Sequence, residues 1–151
     1  MSETSFQRLS LRERGHFSNY FTLNPVLRLT FKDGALGVLR RSGYSEYPYA
    51  SLHAEILKTY SAKGYGKSAY AYIPQTLVTL SSSKFICRFD LSVQFSDFRE
   101  APALLFLIKT NLIFLERIET LAVVKRKHAT SAFVLVVVLG CAWLWAKRLG
   151  I

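Results

Sequence analysis

The residues that come nearest to a chemical signature are Gly66, Lys67 and Ser68. They end the stretch SAKGYGKS (61–68) the way a nucleotide-binding P-loop ends, after an apolar strand. A full P-loop needs a glycine at position 61, where this chain has Ser61. It also needs a long helix whose N-terminus holds phosphate, and Ala69 to Tyr72 followed by Pro74 does not provide one. No acidic magnesium ligand ends a later apolar strand. The stretch therefore reads as a hairpin loop that offers Tyr65 and Lys67 to a partner.

The other reactive residue types are scattered. His16 lies in a polar N-terminal arm, His53 near a strand corner and His128 in a basic cluster, and none has Cys, Asp or Glu at ligand spacing. Asp97 and Glu100 suit a helix N-terminus, where carboxylates are stabilised by the helix dipole, better than an acid–base pair. Cys87 in a strand and Cys141 in an uncharged run do not meet, so no disulfide framework is expected, which suits a reducing cytosol. The expectation is a non-enzymatic protein with no catalytic residue, metal site or cofactor.

Charge and aromatics point to binding instead. The chain has 20 Lys+Arg against 10 Asp+Glu, net +10. Such a balance favours acidic partners, first the anionic leaflet of a membrane and second nucleic acid. Arg28, Lys32, Arg40, Arg41, Lys63 and Lys67 are the expected contacts for an anionic ligand or membrane surface, joined by Lys125, Arg126 and Lys127. Tyr44, Tyr47, Tyr49, Tyr60, Tyr65, Tyr70 and Tyr72 are interleaved with those cations. They read as half-buried strand tyrosines, as a protein-binding surface led by Tyr44, Tyr47, Tyr49 and Tyr65, or as a stacking platform for single-stranded nucleic acid. No aromatic RNA-recognition motif accompanies them, which favours protein.

These residues must be positioned mostly by strands. Leu27, Leu29 and Phe31 alternate with Arg28, Thr30 and Lys32, Asp33-Gly34 supplies a tight turn, and Ala35 to Arg41 returns. Short β-branched or aromatic runs come next at 55–60, 68–72, 76–80 and 84–89, separated by Gly64, Gly66, Pro74 and Ser81 to Ser83. After Phe95 the period changes. Ser96 or Asp97 is the expected cap, Pro102 fits the first turn, and Ala103 to Val124 is expected to be one long helix that could run unbroken into the apolar C-terminal stretch.

That stretch, Ala129 to Ala146, is eighteen residues without a charge, bracketed by Lys125 to His128 and by Lys147 and Arg148. As a helix it reaches about 27 Å, enough for a bilayer core with snorkelling basic flanks. Trp143 and Trp145 suit the headgroup layer, Phe133 and Leu139 the lipid, and Gly140 a close helix approach. Residues 1 to 128 carry eighteen Lys+Arg against ten Asp+Glu, and the positive collar outnumbers the distal pair, so the expected topology is tail-anchored with the N-terminal domain cytoplasmic. The organisation read from the sequence is a basic, mobile arm (1–24), a strand-rich domain (25–124) and a collar with anchor (125–151).

The segments LRLTFKDGALGVLRR (27–41), YPYASLHAEI (47–56), TLVTLSSSKFICRFD (76–90) and FSDFREAPALLFLI (95–108) resemble, in order and residue class, the bacterial pleckstrin-homology-like and GRAM-type membrane proteins. The resemblance covers about residues 25–124. It implies an α+β fold, a partly open barrel of six or seven strands capped by a C-terminal helix, usually membrane-attached and without enzymatic activity. The lipid-binding pattern of that group, a Lys followed by two spaced basic residues, is matched only in part by Lys32 with the adjacent Arg40 and Arg41. Three functions are compatible: a membrane-anchored module that recruits a protein partner, with homo-oligomers through the helix; a ligand-gated effector that perturbs the membrane through a continuous helix; and a tethered nucleic-acid binder. The resemblance favours a bacterial inner membrane as the expected host, with the mitochondrial outer membrane as the alternative in a eukaryote.

Overall fold

The computed structural model describes residues 3–7, 13–14, 24–65, 69–91 and 100–150, with backbone alone at 13–14, 63–65 and 69–70. The chain divides into two units, Met1–Ile118 and Glu119–Ile151. The first is α+β and the second is dominated by one helix.

Asp33-Gly34 joins β3 (Val26–Phe31) to β4 (Ala35–Arg40), with Gly34 at φ +78° and the Lys32 N–H donating to the Ala35 carbonyl at 3.0 Å. Leu29 pairs with Val38 and Phe31 with Leu36, and all four are buried. A slip of one residue would turn that apolar set outward, so the core fixes the register. β5 (Gly43–Pro48) continues the sheet from β4, and β1 (Thr4–Gln7) closes it on the far side of β3.

The placement of β1 corrects the expectation of a mobile N-terminal arm. Phe6 is buried and meets the Phe31 ring edge-on, centroids 5.9 Å apart. Sparse apolar residues argue against an amphipathic helix, but a four-residue strand needs only one inward side chain, and Phe6 is it. A second piece, β2 (Glu13–Arg14), pairs in the other sheet. His16 and residues 1–2, 8–12, 15 and 17–23 of the arm lie outside the described residues.

The second sheet has the order β2-β8-β7-β6-β9. β6 (His53–Tyr65) and β7 (Ala69–Ser81) pair over thirteen positions, so the runs at 68–72 and 76–80 merge into one strand across Pro74. Proline is tolerated because β8 (Ile86–Asp90) pairs β7 only from Leu77 to Ser81, which leaves the Pro74 edge outside the ladder. Gln75 donates to Asp90 at 2.6 Å, satisfying two buried polar side chains. Ile56, Val78, Leu80, Cys87 and Phe89 from this sheet share one core with Leu29, Leu36 and Val38 from the first.

The long helix expected over 103–124 is not formed. α1 (Ala101–Asn111) ends where the Thr110 hydroxyl and the Asn111 amide donate back to the Phe106 and Leu107 carbonyls. These are back-bonds to carbonyls within the helix ladder, and the helix closes at Leu112, whose N–H donates to the Ile108 carbonyl at 2.9 Å. β9 (Ile113–Ile118) then pairs parallel with β6. Pro102 does lie in the first turn; the N-cap is Glu100, without a side-chain cap bond, and Asp97 lies outside the described residues. Leu104 and Ile108 enter the core. The described residues thus hold nine strands where six or seven were expected, in two open sheets.

In the second unit α2 (Leu121–Arg148) starts at Thr120, whose hydroxyl accepts from the Val123 N–H at 3.4 Å. It is long and apolar enough to cross a membrane, and none of its apolar window is buried. That is the form of a single-pass anchor. Phe133, Leu139, Trp143 and Trp145 are exposed along it, a Cβ at Gly140 would meet nothing, and Lys147 Nζ lies 5.1 Å from the Trp143 ring centre at the distal end.

Candidate functional site

β5 alternates, as a strand must, so that Ser45 and Tyr47 share a face with Val38 and Leu36, while Tyr44 and Glu46 share the other with Leu39 and Gly37. Each face builds a different polar arrangement.

On the inner face a cleft of about 390 Å³ opens between the β4–β5 turn and the β7–β8 turn. Arg40, Ser42, Ser45, Tyr44, Tyr47 and Asn24 line one side, Lys84, Phe85 and Ile86 the other. Phe85 is buried and supports both sides. Tyr47 stacks on it at 4.8 Å, and the Arg40 guanidinium carbon lies 5.4 Å from its ring centre. Arg40 also donates to the Asn24 carbonyl and, at 3.4 Å, to the Ile86 carbonyl, so the cation is fixed across the gap between sheets. The Asn24 amide donates to the Ser42 hydroxyl at 2.7 Å. Among the described residues the lining contains two cations and no carboxylate. With hydroxyl-bearing side chains at Ser42, Ser45 and Tyr47, this set can receive an acidic group: two positive charges and several O–H groups line one volume.

The outer face is neutralised from within. Lys32 donates to Glu46 at 2.6 Å and lies 3.9 Å from Glu3, while the Tyr44 hydroxyl donates to the same Glu46 oxygen at 2.8 Å. The Lys32 ammonium also lies 5.2 Å from the Tyr44 ring centre. These bonds hold the Glu46 carboxyl below its usual range, Lys32 contributing most and Tyr44 next, and raise Lys32 above its own. A Cβ at Gly37 would stand 2.2 Å from the Tyr44 hydroxyl oxygen, so only glycine leaves room for that ring across β4.

The residues singled out in the sequence are thus separated. Arg40 and Tyr47 come together in the cleft, Tyr44 borders it while its hydroxyl is bonded to Glu46 on the outer face, and Arg41 is exposed on the turn beside it. Lys32 is spent on Glu46. Arg28 is half-buried on β3, its Nε without a hydrogen bond among the described residues. Tyr49 turns inward, stacking on Phe31 and donating to the Lys32 carbonyl at 2.6 Å, and burial raises its hydroxyl's pKa. Lys63 and Tyr65 lie on β6, where only backbone is described, and Lys67 lies outside the described residues. Lys125, Arg126 and Lys127 sit exposed on α2, the last paired with Glu119. Sequence reasoning missed Lys84 and Phe85; the signal was a lone lysine after three serines at a hairpin tip. No group of three potential metal ligands occurs among the described residues.

No protein-family model, no curated protein and no solved structure matches this chain.

Proposed function

We propose that the chain is a membrane-anchored, non-enzymatic binding module: α2 holds the protein in the bilayer, and the 1–118 unit recruits a protein partner on the cytosolic side by seating an acidic group in the Arg40–Lys84 cleft. The observation that carries this reading is the cleft lining, two cations and a set of hydroxyls with no carboxylate among the described residues. The cytosolic side follows from the Lys125 to Lys127 collar, which outnumbers Lys147 and Arg148. Kinship with the pleckstrin-homology-like and GRAM-type proteins belongs to the same reading; it is supported by a four-stranded sheet that precedes three antiparallel strands and a core-packed helix, β6 to β8 and then α1. The parallel strand β9 has no place in the expected pattern. An effector that levers the membrane through one rigid helix loses its mechanism, because β9 interrupts the rod between α1 and α2.

The test is photo-crosslinking from the cleft lip. A photoreactive side chain replaces Ile86 in the full chain in its native membranes. A defined adduct that disappears with Lys84→Glu and persists with Arg41→Glu supports the module. An adduct indifferent to Lys84→Glu refutes it.

A further inference from the structure

β9 is an edge strand whose apolar side chains are exposed on both faces. Ile113 and Leu115 on one side are 63% and 60% accessible, Phe114 and Ile118 on the other 42% and 71%. Edge strands of soluble sheets are ordinarily blunted by charge, proline or a covering element. Here the strand's two charged residues are already engaged: Glu116 with Lys58 at 2.7 Å and Lys109 at 3.1 Å, Arg117 with Glu55 at 3.2 Å. Phe106, also exposed, sits one turn before Lys109 on α1. Only Glu119 and Thr120 separate β9 from the anchor helix.

We propose that β9 enters the headgroup layer of the membrane edge-on, as a second, shallow attachment beside the α2 anchor. Two-sided exposure decides against a partner strand. Strand addition would pair the free backbone edge but leave the side chains on both faces in water, whereas an edge dipping into the interface takes Ile113, Phe114, Leu115 and Ile118 with it together. The depth is limited to the hydrated layer, because an open sheet edge cannot lose its water in the hydrocarbon. Internal pairing of Glu116 and Arg117 lowers the desolvation cost of that approach. The tether allows it: eight helical residues from Leu121 to His128 and the short link from Ile118 keep the strand's end within about 23 Å of the hydrocarbon boundary.

The inference rests on α2 as the anchor, and the experiment separates the two. Full-length protein in phosphatidylcholine–phosphatidylglycerol vesicles, with Cys141→Ser as background and Cys87 buried, carries a nitroxide at Leu115→Cys, Ile118→Cys, Lys84→Cys or Val137→Cys. Collision rates with oxygen and with a water-soluble nickel chelate are compared. The expected result is a several-fold higher oxygen-to-chelate ratio at both 115 and 118 than at 84, with 137 higher still. Chelate access at 115 and 118 equal to that at 84, while 137 stays protected, overturns the docking of β9 and leaves the anchor standing. Dipolar broadening between copies at 115 or 118 overturns it in favour of a second chain on the strand. Chelate access at 137 overturns the anchor itself.

Discussion

Phe6→Ala decides whether the N-terminal segment is part of the fold. Phe6 is 2% accessible and packs edge-on against Phe31. Truncating a buried phenylalanine costs about 3–5 kcal/mol, of which the ring pair contributes about 0.5–1.5. Because β1 pairs only with β3 among the described residues, the loss is capped by the free energy of detaching that one strand, which puts the expectation near 3 kcal/mol. For a unit of this size each kcal/mol lowers the midpoint by about 4 °C, so the substitution should shift melting of the strand-rich unit by about 12 °C. Ser5→Ala is the matched control. Its hydroxyl bonds Thr30 at 3.0 Å, and removing it should cost about 1 kcal/mol, near 4 °C. The assay is thermal unfolding of the full chain in micelles by near-ultraviolet circular dichroism, with hydrogen exchange at Thr4 to Gln7 as the local readout. A Phe6→Ala shift below about 3 °C, or unprotected amides at 4–7 in the parent, refutes the packing of β1 and restores a mobile arm.

Gly37→Ala should destabilise by about 1–2 kcal/mol in urea unfolding, since the new methyl displaces the Tyr44 ring, and Gly37→Ala with Tyr44→Ser should be less damaging than the sum of the two. Acid should weaken the first unit through Glu46 and Glu116, whose carboxyls are held low by Lys32 with Tyr44 and by Lys58 with Lys109. A depressed carboxyl contributes stability above its ordinary value of 4.5 and loses it as the pH falls through the depressed one. The urea midpoint should therefore hold from pH 7 to 5 and fall below 4.5, less steeply in Glu116→Gln.

Part of this protein was legible in its sequence because the signals are local. Asp33-Gly34 turns the chain wherever it stands, and the alternation around it predicts the face that Leu29 and Phe31 bury. Eighteen uncharged residues between basic clusters define the apolar helix without any tertiary context. Where the sequence misled, the missing information was a distant partner. Ala103 to Val124 carries no proline or glycine and reads as one helix. Ile113 to Ile118 nevertheless becomes a strand because the free edge of β6 takes it into the sheet. The local clue was Thr120 after the break, whose side chain caps the start of α2.

The candidate site divides in the same way. Composition alone marked a basic, tyrosine-rich stretch. It did not tell Tyr47, which lines the cleft, from Tyr49, which closes onto Phe31, nor Lys32, bonded to Glu46, from Lys84, which faces the cleft. Those assignments depend on strand parity and on which turn of one sheet meets which turn of the other. The sequence by itself therefore determined the apolar helix, the charge and the first hairpin, each set by neighbours a few residues apart. Only the tertiary structure decided where Phe6, Lys84 and β9 go, because each is placed by pairing or packing with chain twenty or more residues away, whose free energy no local window contains.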